Sequence, residues 1–222
     1  MVLDTSCFEQ LPFWNDLSPS EKALVHDKAK ILRYKKSRVV RRSDRPCPGL
    51  IHILEGVARV YIISPEGREI TLFYLNRGDC CVFSAACVLE HILFETCVVT
   101  ASEARLLNIG PKTYSLLEES NINVRCFSYE LATMRFSTAL WVMQEIVFTR
   151  FDKRLARFLL DIYRECGSPE INIKQEDLAC QVNAARESVA RMLRHFVNDG
   201  LIVSKRGCIV LTDLEALQEI AT

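Results

Sequence analysis

The sequence has no net charge: 28 lysines and arginines balance 28 aspartates and glutamates among 222 residues. Any role with a polyanion must therefore rest on a local patch, not on the field of the whole molecule. Long hydrophobic runs are missing as well. The longest nearly uncharged apolar stretch, residues 80–89, has 10 residues, whereas a membrane-spanning helix needs roughly 20. The N-terminus reads Met-Val-Leu-Asp-Thr-Ser-Cys, with no basic region ahead of an apolar core, so no secretory signal is expected. Ten cysteines form no Cys-x-x-Cys pair and no spacing typical of a small disulfide scaffold, which favours reduced thiols in a cytoplasmic protein. A Gly-x-Ser-x-Gly elbow, a phosphate-binding glycine loop and a His-Glu-x-x-His helix are all absent, which argues against an enzyme. The remaining balance, 49% apolar and 25% charged, is that of an ordinary globular chain of one large or two modest domains.

Three regions follow one another. Ser18-Pro19-Ser20-Glu21 supplies an N-cap, a proline at the first helical position and a capping-box glutamate, so a helix starts there. Between about residues 31 and 110, short apolar runs alternate with turn signals such as Glu55-Gly56, Pro65-Glu66-Gly67 and Asn76-Arg77-Gly78-Asp79. Regularly spaced short strands of this kind predict an antiparallel sandwich or barrel. From about residue 111 the period becomes helical. Val124, Phe127, Leu131, Met134, Thr138, Trp141, Glu145 and Phe148 recur at 3-4 spacing over more than three heptads, a coiled-coil-like seam that Thr138 and Glu145 weaken. A helix packed on its own domain is the plainer alternative. The large apolar set of Met134, Trp141 and Phe148 favours a dimer helix.

Residues 171–213 carry the strongest signal. Residues 175–182 form a short helix, Asn183-Ala184-Ala185 a tight turn, and residues 186–198 a second helix. Val189, Met192, Leu193, Phe196 and Val197 make its buried side and leave Arg186, Glu187, Arg191, Arg194 and His195 outside. Residues 201–203 and 208–211 then form a hairpin around Ser204-Lys205-Arg206-Gly207. Helix, turn, helix and basic-tipped hairpin is the layout of a winged helix-turn-helix. Residues 184–207 hold five basic side chains against two acidic ones, so a positive patch sits where DNA would lie. Arginine reads guanine O6 and N7, and glutamate accepts from cytosine N4. Glu187 and Arg191, four apart on one helix face, are placed to pair with each other and read one G·C step. Ser188, Lys205 and Arg206 suit phosphates.

On these residues the chain resembles the Crp/Fnr family over nearly its full length. LIHILEGVARVYIISPEGREITLFYLNRGD (50–79) is similar to the family's β-roll, RLARFLLDI (154–162) to the helix after its hinge, and QEDLACQVNAARESVARMLRHFVNDGLI (175–202) to its helix-turn-helix. RESVAR (186–191) matches the recognition motif R-E-T-V-x-R, which places Arg186, Glu187 and Arg191 on its base-reading positions. The resemblance implies an α+β chain. Residues 1–120 would form an antiparallel, jelly-roll-like β-roll of the cyclic-nucleotide-binding type that senses an effector. Residues 121–149 would form a dimerisation helix with Val124, Phe127, Leu131, Met134, Thr138, Trp141 and Phe148 at the interface. Residues 150–222 would form the winged helix-turn-helix. It further implies a homodimer on double-stranded DNA with a palindromic, TGTGA-like operator, and RNA polymerase as partner if the protein activates. No membrane partner is expected.

The sequence departs from its relatives in the sensor. Residues 78–101, GDCCVFSAACVLEHILFETCVVTA, contain no arginine for a cyclic-nucleotide phosphate. The N-terminal cysteine group of iron–sulfur members is also absent, since only Cys7 precedes Cys47. Cys80, Cys81, Cys87 and Cys97 stand there instead, with His91 nearby. They fill the core as small hydrophobes, or they form a thiol redox, metal or haem site. The cofactor and any metal are left open, as is a thiol-dependent enzyme or ligand-binding module using residues 80–97. Cys80 and Cys81 would face opposite ways in an extended strand. Cyclic AMP is not expected to regulate this protein, and tight binding of that nucleotide in titration calorimetry would overturn the expectation.

Overall fold

The structure, a computed structural model, describes residues 5–42, 48–64, 67, 69–82 and 96–222. It divides into two compact units: Met1–Ile63 with Leu72–Ala139, and Ser64–Thr71 with Leu140–Thr222.

In the first unit, two short 3-10 turns (Thr5–Cys7 and Trp14–Asp16) precede helix α1 (Pro19–Lys28). Ser18 and Glu21 close the expected capping box, Ser18 Oγ accepting from the Glu21 N–H and Glu21 Oε2 from the Ser18 N–H. Eight strands follow among the described residues: β1 (Lys30–Tyr34), β2 (Val39–Arg41), β3 (Leu50–Glu55), β4 (Ala58–Ile63), β5 (Glu69–Leu75), β6 (Cys80–Val82), β7 (Thr96–Thr100) and β8 (Ala104–Ile109). They form two four-stranded sheets, β1-β8-β3-β6 and β2-β7-β4-β5. Residues of both sheets, including Ile51, Ile53, Val60, Leu75, Cys81, Val98 and Leu106, share one apolar core.

Strand β3 shows why. Its residues 50–54 are all buried, because alternate side chains serve different cores. Ile51 and Ile53 point between the sheets, while Leu50 and Leu54 meet Phe8, Trp14, Tyr114 and Val124 on the helical side. Gly56 turns the chain into β4 at φ 81°, where any Cβ would lie 2.1 Å from the Glu103 carbonyl oxygen. Only glycine fits there.

Helices α2 (Pro111–Ser120) and α3 (Ile122–Phe148) cover that outer sheet face. Val124, Ser128 and Leu131 of α3 are buried. The Tyr114 hydroxyl donates to Ser128 Oγ at 2.7 Å, and Ser128 in turn donates to the Val124 carbonyl at 3.1 Å. This corrects the expected seam. Val124 and Leu131 lie in the interior of their own unit, and Phe127 packs partly against the same core. Helix α3 is apolar on more than one side, so the 3-4 spacing fits two registers. Ile122, Cys126, Tyr129, Thr133, Phe136, Leu140, Met143 and Val147 also recur at alternating spacings of four and three, and every one is exposed. Of the expected residues, Met134, Trp141 and Phe148 are exposed and Thr138 is half-buried.

The boundary between the compact units falls within α3, after Ala139. Val142 on its second half is buried. In the second unit, Arg154 closes the end of α3: its Nη1 donates to the carbonyls of Glu145, Ile146 and Thr149 at 3.2, 3.4 and 2.7 Å. Arg154 sits in the first turn of α4 (Phe151–Cys166), so one cation satisfies the C-terminal carbonyls of the preceding helix and complements its dipole. Leu155, Ala156, Leu159 and Leu160 of α4 join residues of the helix-turn-helix and of α7 (Leu214–Ala221) in a single core.

Candidate nucleic-acid interface

Strand β9 (Glu170–Ile171) leads into α5 (Gln175–Gln181), the turn, α6 (Arg186–Asn198) and the hairpin of β10 (Ile202–Lys205) and β11 (Cys208–Leu211). The helix and hairpin positions agree with the sequence reading. Strand β9 does not appear in that reading. It pairs with β11 and completes a three-stranded sheet, β10-β11-β9. Two residues are too few to show a period, so no sequence pattern marks it.

The turn depends on Asn183, whose φ of 50° lies in the left-handed region. Asparagine tolerates that conformation better than most residues. The Ala184 N–H then bonds back to the Ala179 carbonyl at 3.0 Å. Helix α6 follows with Val189, Leu193 and Phe196 buried against α4 and α5 residues. Val197, expected on that side, is 41% exposed. It falls one step round the helix from Phe196, beyond the edge of the apolar stripe.

The opposite face carries the candidate readers. Arg186, Glu187, Arg191 and Arg194 are exposed, and Ser188 is half-buried beside them. Glu187 and Arg191 do not form the ion pair that their spacing allows. Arg186 instead meets Glu176 at 3.2 Å. No side chain caps the start of α6, so its first amides face outward with the positive end of the helix dipole. Lys205 closes β10 opposite Cys208, and Arg206 leads the turn at Gly207, where φ is 76°. Both cations are exposed at the wing tip.

This layout matches known proteins. Residues 153–220 match the Crp-like helix-turn-helix domain. A crystal structure of a Crp/Fnr-family protein from Eubacterium rectale, described as a transcriptional regulator, is 33% identical, with a TM-score of 0.86, over 96% of this chain and 99% of that one. The chain belongs to the Crp/Fnr family. At 22% identity over 95% of this chain and 96% of the relative, it is similar to the cyclic AMP receptor protein of Thermus thermophilus. It also shares its fold with a c-di-GMP-responsive regulator of Xanthomonas campestris, at 19% identity and a TM-score of 0.69 over 88% and 100% of the two chains. It is thus a DNA-binding transcriptional regulator of the Crp/Fnr type, and its relatives are regulators, not enzymes. No helix among the described residues is long and apolar enough to cross a membrane.

The cysteine-rich segment at Asp79 and Cys80 is reached from elsewhere in the chain. Cys80, Cys81 and Cys97 are buried. Cys81 lies between the sheets, whereas Cys80 turns to the helical side, where its Sγ is 3.2 Å from Nδ1 of the buried His52. Burial pushes the Cys80 thiol up to about 12, helped by Cys81 and Asp79 and opposed by Arg135. Burial pushes the His52 imidazole down, with Asp79 opposing. The pair is therefore a neutral thiol beside a neutral ring. Cys87 and His91 lie outside the described residues. Among the described residues no group of three or more His, Cys, Asp and Glu is placed to hold a metal ion.

Two residues went unnoticed in sequence. His52 sits in an apolar strand run. Arg135 lies 55 positions beyond Cys80, yet its Nη2 donates to the Cys80 carbonyl at 3.1 Å and lies 3.7 Å from Asp79. Its guanidinium sits over the Phe73 ring, 4.5 Å from the centroid. Residues 78–101 lack an arginine, but the fold supplies one from α3.

A thiol with so high a pKa is a poor nucleophile, because the thiolate is the reactive form. Timed alkylation of the native protein with mass-spectrometric readout should modify exposed Cys166 first and leave Cys80, Cys81 and Cys97 intact. Raising the pH from 7 to 9 should not expose Cys80. Rapid native labelling of Cys80 would contradict its burial.

Proposed function

We propose that this chain is a homodimeric, effector-controlled regulator that reads an inverted repeat of TGTGA-like half-sites. The observation that carries the DNA reading is α6: a helix backed by Val189, Leu193 and Phe196 that holds Arg186, Glu187 and Arg191 outward. Arg186 and Arg191 supply guanine contacts and Glu187 a cytosine contact. Ser188, Lys205 and Arg206 supply phosphate contacts, which position the protein without specifying sequence. Two copies with two-fold symmetry place two such helices in successive major grooves about one helical turn apart.

The exposed seam of α3 supports the dimer. Phe136 is 64% and Val147 68% exposed, and a stripe of large apolar residues along a surface helix marks an interface. In this reading the interface runs along Cys126, Tyr129, Phe136, Leu140, Met143 and Val147, flanked by Met134, Trp141 and Phe148. Control comes from a small molecule in the first unit. The inert burial of Cys80, Cys81 and Cys97 favours packing over redox chemistry at those three thiols. The protein acts in the cytoplasm, with RNA polymerase as partner if it activates.

In fluorescence anisotropy at fixed salt, Arg191→Ala should cost about 1–3 kcal/mol of discrimination against the wrong base pair. Lys205→Ala should weaken all duplexes alike and lower the salt slope by about 1 per protomer. Equal loss on every sequence for Arg191→Ala would contradict a reading role. Phe136→Glu should leave a folded monomer in analytical ultracentrifugation. It should also speed alkylation of Cys126, which the dimer seam covers. A dimer that survives Phe136→Glu would place the interface elsewhere.

A further inference from the structure

The second unit holds a cavity of about 280 Å³, walled by the last turns of α3, by α4 and by the end of α5. Ligand sites usually run to about 300–1,000 Å³, so this one admits only a small molecule. Trp141, Ile146, Phe158 and Val182 give it an apolar lining. Val182 is buried, Ile146 and Phe158 are half-buried, and Trp141 is exposed.

Four charged groups share that lining, and two of them are already engaged. Arg154 gives its Nη1 to the carbonyls that end α3. Asp161 pairs with Arg164 at 3.0 Å. The other two are Glu145 and Arg157. Arg157 Nη1 lies 3.7 Å from Glu145 Oε2, close enough for attraction but too long for a hydrogen bond. Arg157 Nε donates to the Ala221 carbonyl at 2.7 Å. The two terminal nitrogens of Arg157 and both carboxylate oxygens of Glu145 make no hydrogen bond among the described residues. The Glu145 side chain is only 26% exposed, so this carboxylate has left part of its water without gaining a donor in exchange.

A carboxylate and a guanidinium side by side, next to apolar side chains, complement one kind of small molecule. It carries an ammonium and a carboxylate on one carbon, together with an apolar group. We propose that this cavity binds a free α-amino acid with an apolar side chain. The ligand's ammonium donates to Glu145, and its carboxylate accepts from the terminal nitrogens of Arg157. The side chain lies against Trp141, Ile146, Phe158 and Val182. The loose ion pair is thereby replaced by charge-assisted hydrogen bonds on both sides, and no charge is left buried without a partner. An amine or a fatty acid satisfies only one of the two residues, and a peptide end carries only one of the two charges. The site lies in the second unit and is additional to the effector proposed for the first.

Tryptophan fluorescence of the full-length protein tests this. The chain has two tryptophans, and Trp14 is buried in the core of the first unit, so Trp141 reports on the cavity. Leucine, isoleucine, methionine and phenylalanine are titrated separately, each up to about 10 mM, so that a site of millimolar affinity fills. At least one should give a saturable change in emission, and Trp141→Phe should abolish it. For the tightest binder, the analogue lacking the ammonium and the analogue lacking the carboxylate should each bind at least about tenfold more weakly, as expected for the loss of a charge-assisted hydrogen bond. Glu145→Gln should weaken the amino acid about tenfold and leave the affinity for the analogue lacking the ammonium unchanged. No saturable change with any of the four amino acids overturns the proposal. So does a change that persists in Trp141→Phe, an analogue that binds as tightly as its parent, or a Glu145→Gln loss that is equal for the parent and the analogue lacking the ammonium. The analogue comparison uses the unsubstituted protein and decides the matter even if a variant fails to fold.

Discussion

One helix has to satisfy three demands, and the rest of the structure follows from how it does so. Helix α3 packs Val124, Ser128 and Leu131 inward, presents an apolar seam from Ile122 to Val147 outward, and ends where Arg154 gathers its last carbonyls. A helix that is apolar on several faces is a core helix unless something covers the remaining face. The inward stripe cannot be traded for the outward one. Ser128 is fixed by Tyr114 and by the Val124 carbonyl, and rotating the helix would bury those hydroxyls without partners, at about 1–3 kcal/mol for each unsatisfied group.

The same property limited what could be read in the sequence. Where polar and apolar residues segregate, as in α6, the pattern identified both the helix bounds and the reading face, and only Val197 fell on the wrong side. Where apolar residues surround the helix, 3-4 spacing exists in more than one register, and the spacing alone selects none. Val124 and Leu131 then look as suitable for an interface as Phe136 and Leu140. The deciding information is the buried Tyr114–Ser128 contact, which joins two helices and leaves no local trace. Strand β9 was missed for a related reason: its pairing with β11 is tertiary.

Long-range placement also recasts the cysteine-rich segment. Residues 78–101 have no cation of their own, and Asp79 looks isolated in sequence. In the fold Arg135 reaches both Asp79 and the Cys80 carbonyl while lying over Phe73. Cys80, Cys81 and Cys97, conspicuous in the sequence, are buried and chemically quiet. Cys80 faces a neutral histidine in an apolar setting, and desolvation disfavours the thiolate that redox or metal chemistry needs. Unspent hydrogen-bonding capacity lies instead on Arg135 and His52, whose Nε and Nε2 atoms are each buried without a hydrogen-bond partner among the described residues.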